Sequence, residues 1–235
     1  MRIVLDTETT GLNPLQDEIL QLAIIDADTG ATIYNRHHKP QRVTSWEEAQ
    51  KINRITPEDV EDCDAIIDHA GEILDIFAVA DEIIGYNTGF DLAMLAAAIK
   101  DLPADLPYID VMRLYAPLAG EWSEQYNSWK YKSLLHCAAH YGYNWGDYPA
   151  HDALNDAQAT KYCYRKILDD LAAARDKTIE QLLLTAVMSV ATAERINRER
   201  LDAALIFPAE RYLLPPAWEF KRALEAVRDG TTEST

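Results

Sequence analysis

The chain opens on a short apolar run over residues 2–6 that ends in an acid, so that Ile3-Val4-Leu5 leads straight into Asp6-Thr7-Glu8. An uninterrupted apolar run of this length fits a strand covered on both faces. Residues 18–27, rich in Ile and Leu, read as a second strand. Asp28-Thr29-Gly30 is a turn, and residues 31–37 return as a third strand that completes a hairpin. From there strands alternate with helices. Residues 45–54 suit a short helix, and Thr56-Pro57-Glu58-Asp59 supplies a cap, a proline at the first helical position and first-turn acids. Residues 64–80 repeat apolar side chains at helical spacing, 82–86 form a strand, 90–100 an Ala/Leu-rich helix and 108–111 a last short strand. Helices follow over 130–141 and 152–171. Strands interleaved with helices after an opening hairpin predict an α/β domain.

The tail has a different texture. Thr178-x-x-Gln181 has the form of a capping box opening a long helix, which Pro208, Pro215 and Pro216 end. Residues 218–228 suit a final short helix, and the polar residues 231–235 are expected to be disordered. The division expected is therefore a domain over 1–172, a helical C-terminal extension over 173–230 and a tail over 231–235. A chain of 235 residues accommodates one α/β domain and an extension, but not two large domains. The extension's apolar stripe, with Phe207, Tyr212, Leu213, Leu214 and Trp218, suits packing in cis. The other reading is docking of a protein partner, or self-association, through these C-terminal helices.

Cys63, Cys137 and Cys163 lie far apart without C-x-x-C spacing, which argues for three small buried hydrophobes rather than disulfides or a zinc knuckle. No apolar run reaches the roughly 18–20 residues that span a bilayer. The start, Met1-Arg2 followed at once by a strand, is too short and acidic for a signal peptide. A cytoplasmic protein without membrane attachment is expected. Charge narrows the partners further: 22 basic against 39 acidic residues leave a formal net charge of −17. A protein that coats duplex nucleic acid would be basic. If this chain handles nucleic acid, it does so in a local cleft where metal ions neutralise phosphate.

Three segments carry residues suited to such chemistry. Asp6 and Glu8, two apart on a strand, point to the same face. Two carboxylates there would repel each other and be costly to desolvate, and a divalent cation between them removes both penalties. Oxygen ligands favour magnesium or manganese over zinc. Taken alone, two solvated acids at a strand end is the commoner reading. In Gly85-Tyr86-Asn87-Thr88-Gly89-Phe90-Asp91 a strand ends, a turn follows and a helix begins. Asp91 then lies near a helix start and at the carboxyl end of a strand, where open α/β sheets place ligands, although capping alone also explains it. In His151-Asp152-Ala153-Leu154-Asn155-Asp156 the histidine and the last acid are five apart and would not share a face of one helix. With Asp152 as the helix cap, His151 falls on the preceding loop and can swing toward a site that Asp156 also faces.

In this order, on these elements, the three segments resemble the motifs of the DEDD exonuclease superfamily in its histidine-bearing branch. That branch holds the proofreading epsilon subunit of bacterial DNA polymerase III, exonuclease X and ribonuclease T. The resemblance covers roughly residues 1–170 and implies a ribonuclease H-like, mixed five-stranded sheet flanked by helices. It implies hydrolysis of phosphodiester bonds from a 3′ end, with Asp6, Glu8, Asp91 and Asp156 holding two Mg²⁺ ions, for which Mn²⁺ can substitute. His151 would be the general base, since imidazole titrates near neutrality. Thr9, Thr10 and Leu12 would meet the terminal nucleotide, and Asn87 belongs to the second motif. Phe90 suits either base stacking or core packing. Lys130 and Lys132, interleaved with aromatics in Trp129-Lys130-Tyr131-Lys132, suit either phosphate contacts or a solvated loop.

Residues 49–56 are similar to the superfamily's Ile-His-x-Ile-Thr segment with Asn53 in place of histidine, and Tyr86 stands where many members have histidine. The substrate implied is a single-stranded or frayed DNA 3′ end, with nucleoside 5′-monophosphates as products. RNA is the alternative substrate. A catalytically silent nucleic-acid-binding or scaffold module ranks below both, because all four acids and His151 are present.

Overall fold

The computed structural model describes residues 1–103, 107–146 and 150–188, with side chains described as far as residue 173. Five strands form one sheet in the order β3-β2-β1-β4-β5. The strands are β1 (Arg2–Thr9), β2 (Ile19–Asp26), β3 (Thr32–His37), β4 (Glu82–Gly85) and β5 (Tyr108–Asp110). β1 pairs antiparallel with β2 and β2 with β3, while β4 and β5 are parallel to β1. This is the mixed, five-stranded, ribonuclease H-like arrangement expected. The central strand is covered on both sides, and Ile3, Val4 and Leu5 are fully buried.

Two helical layers enclose the sheet. Ile3 and Leu5 pack with Ile73 and Phe77 of α3 (Ala70–Ala78) and with Met94 and Leu95 of α4 (Thr88–Ala98). On Glu8's face, Gln21, its partner on β2, hydrogen-bonds to Asp152 and to the Ala153 N–H at the start of α7 (Ala153–Met188). The buried stripe of α7 begins with the small residues Ala153, Ala157 and Thr160 and continues through Tyr164 and Ile167. A smaller core of Leu20, Trp46, Ile55 and Val60 lies beneath α1 (Glu47–Asn53) and α2 (Pro57–Val60). Thr56 caps α2 in a full capping box with Asp59.

Several expectations are corrected. Residues 64–80 are not one helix: a 3-10 turn (Ile66–His69) precedes α3. An unexpected helix, α5 (Val111–Ala119), starts at the cap Asp110, and an unexpected ribbon, β6 (Trp122–Ser123) and β7 (Ser128–Trp129), follows it. The next helix, α6, spans only Leu134–His140, so Lys130 and Lys132 precede it in extended chain. Thr178 and Gln181 fall inside the continuous helix α7, so no helix begins there. Cys137 and Cys163 are buried as expected, but Cys63 is partly exposed. The expected end of the tail helix, the final helix over 218–228 and the disorder of 231–235 lie outside the described residues. Among the described residues no helix is long and apolar enough to cross a membrane.

Candidate active site

The carboxyl end of β1 is the scaffold. Its ladder with β4 ends at Val4, so the backbone beyond has no strand neighbour on that side. Asp91 occupies the gap. Its Oδ1 accepts from the Thr7 N–H at 3.0 Å and from the Thr7 hydroxyl at 2.6 Å. A helix on one side of the sheet thus delivers its carboxylate to the strand that carries Asp6 and Glu8. The turn that aims it is tightly built. Asn87 takes a left-handed conformation (φ 67°), its N–H donates to Asp110 Oδ1 at 2.9 Å, and the Thr88 hydroxyl donates to the Ile109 carbonyl at 2.7 Å. A Cβ on Gly85 would lie 2.9 Å from that tethered hydroxyl oxygen, so only glycine fits there.

The third segment reaches the site by a backbone kink. Asp152 stands just before α7, and its Oδ1 accepts from the Asn155 N–H at 3.1 Å, the cap interaction expected. His151 has φ 68°, a left-handed conformation that is costly for a residue with a Cβ. That kink folds His151 back over the helix start, where its N–H donates to Asp156 Oδ1 at 3.2 Å. Ligand atoms of Glu8, His151 and Asp156 consequently lie within 4.8 Å of one another. The kink answers the five-residue spacing that a continuous helix could not.

Electrostatically the cluster is strained. Burial, then repulsion from Asp91, Asp156, Glu8 and Asp152, pushes Asp6 well above the usual carboxylate range. Burial and the facing acids raise Glu8 to about 8. Burial raises Asp91 to about 7 against the two Thr7 hydrogen bonds. Asp156 rises to about 6 for the same first reason, opposed by the His151 N–H. Among the described residues no lysine or arginine forms an ion pair with any of these four. A protein that buries acids ordinarily pairs them. Here the missing counter-charge and the oxygen-rich donor set fit divalent cations. His151 is shifted down, by burial and then by Arg54, so its ring is neutral at neutral pH.

The expected substrate contacts are placed unevenly. The Thr9 hydroxyl donates to the Gly11 carbonyl and the Thr10 hydroxyl to Asp17, so both side chains close the loop that follows β1. Leu12 is 84% exposed on that loop and free to meet a ligand. Asn87 is exposed beside Asp91. Phe90 is partly buried and packs against the main core. Lys130 and Lys132 both pair with Glu121.

Two residues outside the candidate set, Asn53 and Arg54, also reach the site. Buried Asn53 donates to the Thr9 carbonyl at 3.2 Å and contacts the Glu8 carboxylate. Arg54, left-handed at φ 64° and exposed, places a cation toward His151. The segment's likeness to Ile-His-x-Ile-Thr was the available signal for both.

A family model described as Exonuclease (RNase_T) matches residues 3–164. The chain belongs to this exonuclease family, within the DEDD superfamily. The exonuclease domain is 30% identical over 172 residues to the PolC-type DNA polymerase III of Thermotoga maritima, covering 71% of this chain and 12% of that protein. To the PolC-type polymerase of Bacillus subtilis it is 27% identical over 180 residues, 72% of this chain and 12% of that one. The chain thus spans about an eighth of these relatives.

Among solved structures it is similar to exonuclease X in complex with 5′-overhanging duplex DNA. The TM-score is 0.52 at 23% identity, over 72% of this chain and 92% of that one. It is also similar to E. coli exonuclease I in complex with a dT13 oligonucleotide, with a TM-score of 0.54 at 24% identity, over 77% of this chain and 43% of that one. At these identities the solved structures speak for the fold.

Proposed function

We propose that this exonuclease is a divalent-metal-dependent enzyme that removes nucleoside 5′-monophosphates from the 3′ end of single-stranded or frayed DNA. We further propose that it acts in the cytoplasm through a catalytic domain over residues 1–172. The observation that carries the reading is a cluster of four acids that pairs with no lysine or arginine among the described residues, beside a histidine whose pKa burial lowers. DNA is favoured because the relatives are DNA polymerases and the similar structures hold DNA.

Asp6, Glu8, Asp91 and Asp156 are the groups that would hold two magnesium ions. Such ions, when bound, acidify water, bring the scissile phosphate in and stabilise charge on the leaving oxygen. Everything else is asked of the chain. Thr7 holds the Asp91 carboxylate in one orientation, and Asn53 beside Glu8 favours that carboxylate's charged form. His151 accepts the proton of the attacking water at its imidazole, for which a lowered pKa is the right condition at neutral pH. The water oxygen bonds to phosphorus as the bond to the upstream 3′ oxygen breaks, and that oxygen takes a proton from solvent. Leu12, projecting from the loop after β1, meets the terminal base.

A matched panel tests the proposal. Substrates labelled at the 5′ or the 3′ end, as single-stranded DNA, duplex DNA, mismatched primer and RNA, are digested with magnesium and with chelator. The expected result is a ladder of shortening 5′-labelled DNA, release of labelled mononucleotide from the 3′ end, and no reaction in chelator. Release from the 5′ end, internal cuts or metal-independent cleavage would contradict it, and faster digestion of RNA would reassign the substrate.

A further inference from the structure

We infer that the ribbon β6–β7 is a stacking platform for the unpaired bases of the substrate strand, next to the carboxylate cluster. This rests on the nuclease reading above and adds to it the element that holds the strand upstream of its 3′ end.

The ribbon is a two-stranded sheet separate from the main one, with Trp122 directly opposite Trp129. Their rings meet edge to face at 5.1 Å, yet the residues stay 41% and 39% exposed. Tyr126, in the connecting loop, is 72% exposed, and Tyr131, two residues past β7, is 58% exposed. A two-stranded ribbon is marginal by itself, and large aromatic side chains left in water mark a contact surface.

Charge and position identify the occupant. Glu121 and Glu124 against Lys130 and Lys132 make this stretch formally neutral, on a chain whose net charge is −17. A polyanion is repelled less here than by the chain at large. Both lysines are already paired with Glu121, so the ribbon offers aromatic faces more than phosphate contacts. Stacking on such faces suits unpaired bases of any sequence, whereas a duplex hides its base faces. The foot of the ribbon is fixed to the site. The Tyr86 hydroxyl lies 2.9 Å from the Lys132 carbonyl and 3.1 Å from the Ser133 carbonyl, and Tyr86 immediately precedes Asn87 and the helix that bears Asp91.

The test uses the full chain. In EDTA, where nothing is cleaved, tryptophan fluorescence is titrated with oligo-dT of twelve nucleotides and with a duplex of equal length. The single strand is expected to quench saturably and the duplex weakly. The quench should vanish in Trp122→Phe/Trp129→Phe. Tyr126→Ala or Tyr131→Ala, with unchanged circular dichroism, should weaken binding about tenfold or more.

With magnesium, kcat/KM on the oligonucleotide divided by kcat/KM on the p-nitrophenyl ester of thymidine 5′-phosphate should fall by a similar factor in Tyr126→Ala. Equal quenching by duplex, no quenching at all, or an unaltered ratio would overturn the inference. So would a parallel loss of both activities, which would make the ribbon a purely structural part. A wild-type chain that cleaves neither substrate would sink the nuclease reading instead, and the fluorescence arm would still judge the ribbon.

Discussion

Glu8, Asp91 and Asp156 hold their protons up to about 8, 7 and 6, chiefly because each has been taken out of water. Neutralising one of them removes a repulsion that folding has to overcome. Asp6→Asn and Asp156→Asn should therefore abolish hydrolysis while raising the metal-free melting temperature at pH 8 by a few degrees, on the scale of ~1 kcal/mol. Calorimetry with and without magnesium reads this. A lower melting temperature in both variants would mean that these carboxylates stabilise the fold instead of straining it. His151→Ala should leave stability nearly intact and slow turnover on the order of 10²–10⁴-fold, the range for losing a general base. Near-wild-type kcat would remove His151 from the chemistry. Thr7→Val deletes the 2.6 Å hydrogen bond that orients Asp91. Magnesium activation of that variant should need ~10–100-fold more metal, as when a partner of a ligand is lost.

At the scale of elements, what could be read from sequence tracks how local the signal is. Asp6 and Glu8 were legible because a strand's two-residue period places them together whatever surrounds them. Asp91 was legible because its strand-turn-helix context is contiguous, and the Asp152 cap because its hydrogen bond spans three residues. α5 was missed because Pro117 sits inside it and reads as a breaker, although the Asp110 cap was there to be seen. The ribbon was missed because two-residue strands carry no period at all. Thr178-x-x-Gln181 misled because the same pattern is compatible with a helix interior, and nothing before it breaks α7. The convergence of Asn53 with Glu8 depends on the register of distant segments and has no local mark. Gly85→Val tests the turn: its side chain would enter the space of the tethered Thr88 hydroxyl and displace Asn87 and Asp91 together. Activity should fall by at least tenfold with the sheet retained by circular dichroism, and full activity would show that the turn does not aim Asp91.

For the whole molecule, the raised carboxylates set a pH dependence. The folded-state values of Glu8, Asp91 and Asp156 lie above their ordinary ones, so the native state binds more protons than the unfolded chain between roughly pH 4 and 8. Their stabilising contribution is complete below that window and is lost as pH rises through about 6 to 8. His151, shifted down, opposes this near its ordinary value. The metal-free protein should therefore melt lower at pH 8.5 than at pH 6, and magnesium should reverse the order by binding the ionised cluster. A metal-free melting temperature that climbs over that range would contradict the electrostatic account.

The central claim is that chain-distant acids converge to hold divalent cations beside His151. Anomalous diffraction from a manganese-soaked crystal tests it most directly. Two manganese peaks ligated by Asp6, Glu8, Asp91 and Asp156 are the result predicted. Ordered density for those four side chains with no manganese among them, at a concentration that supports catalysis, would contradict it.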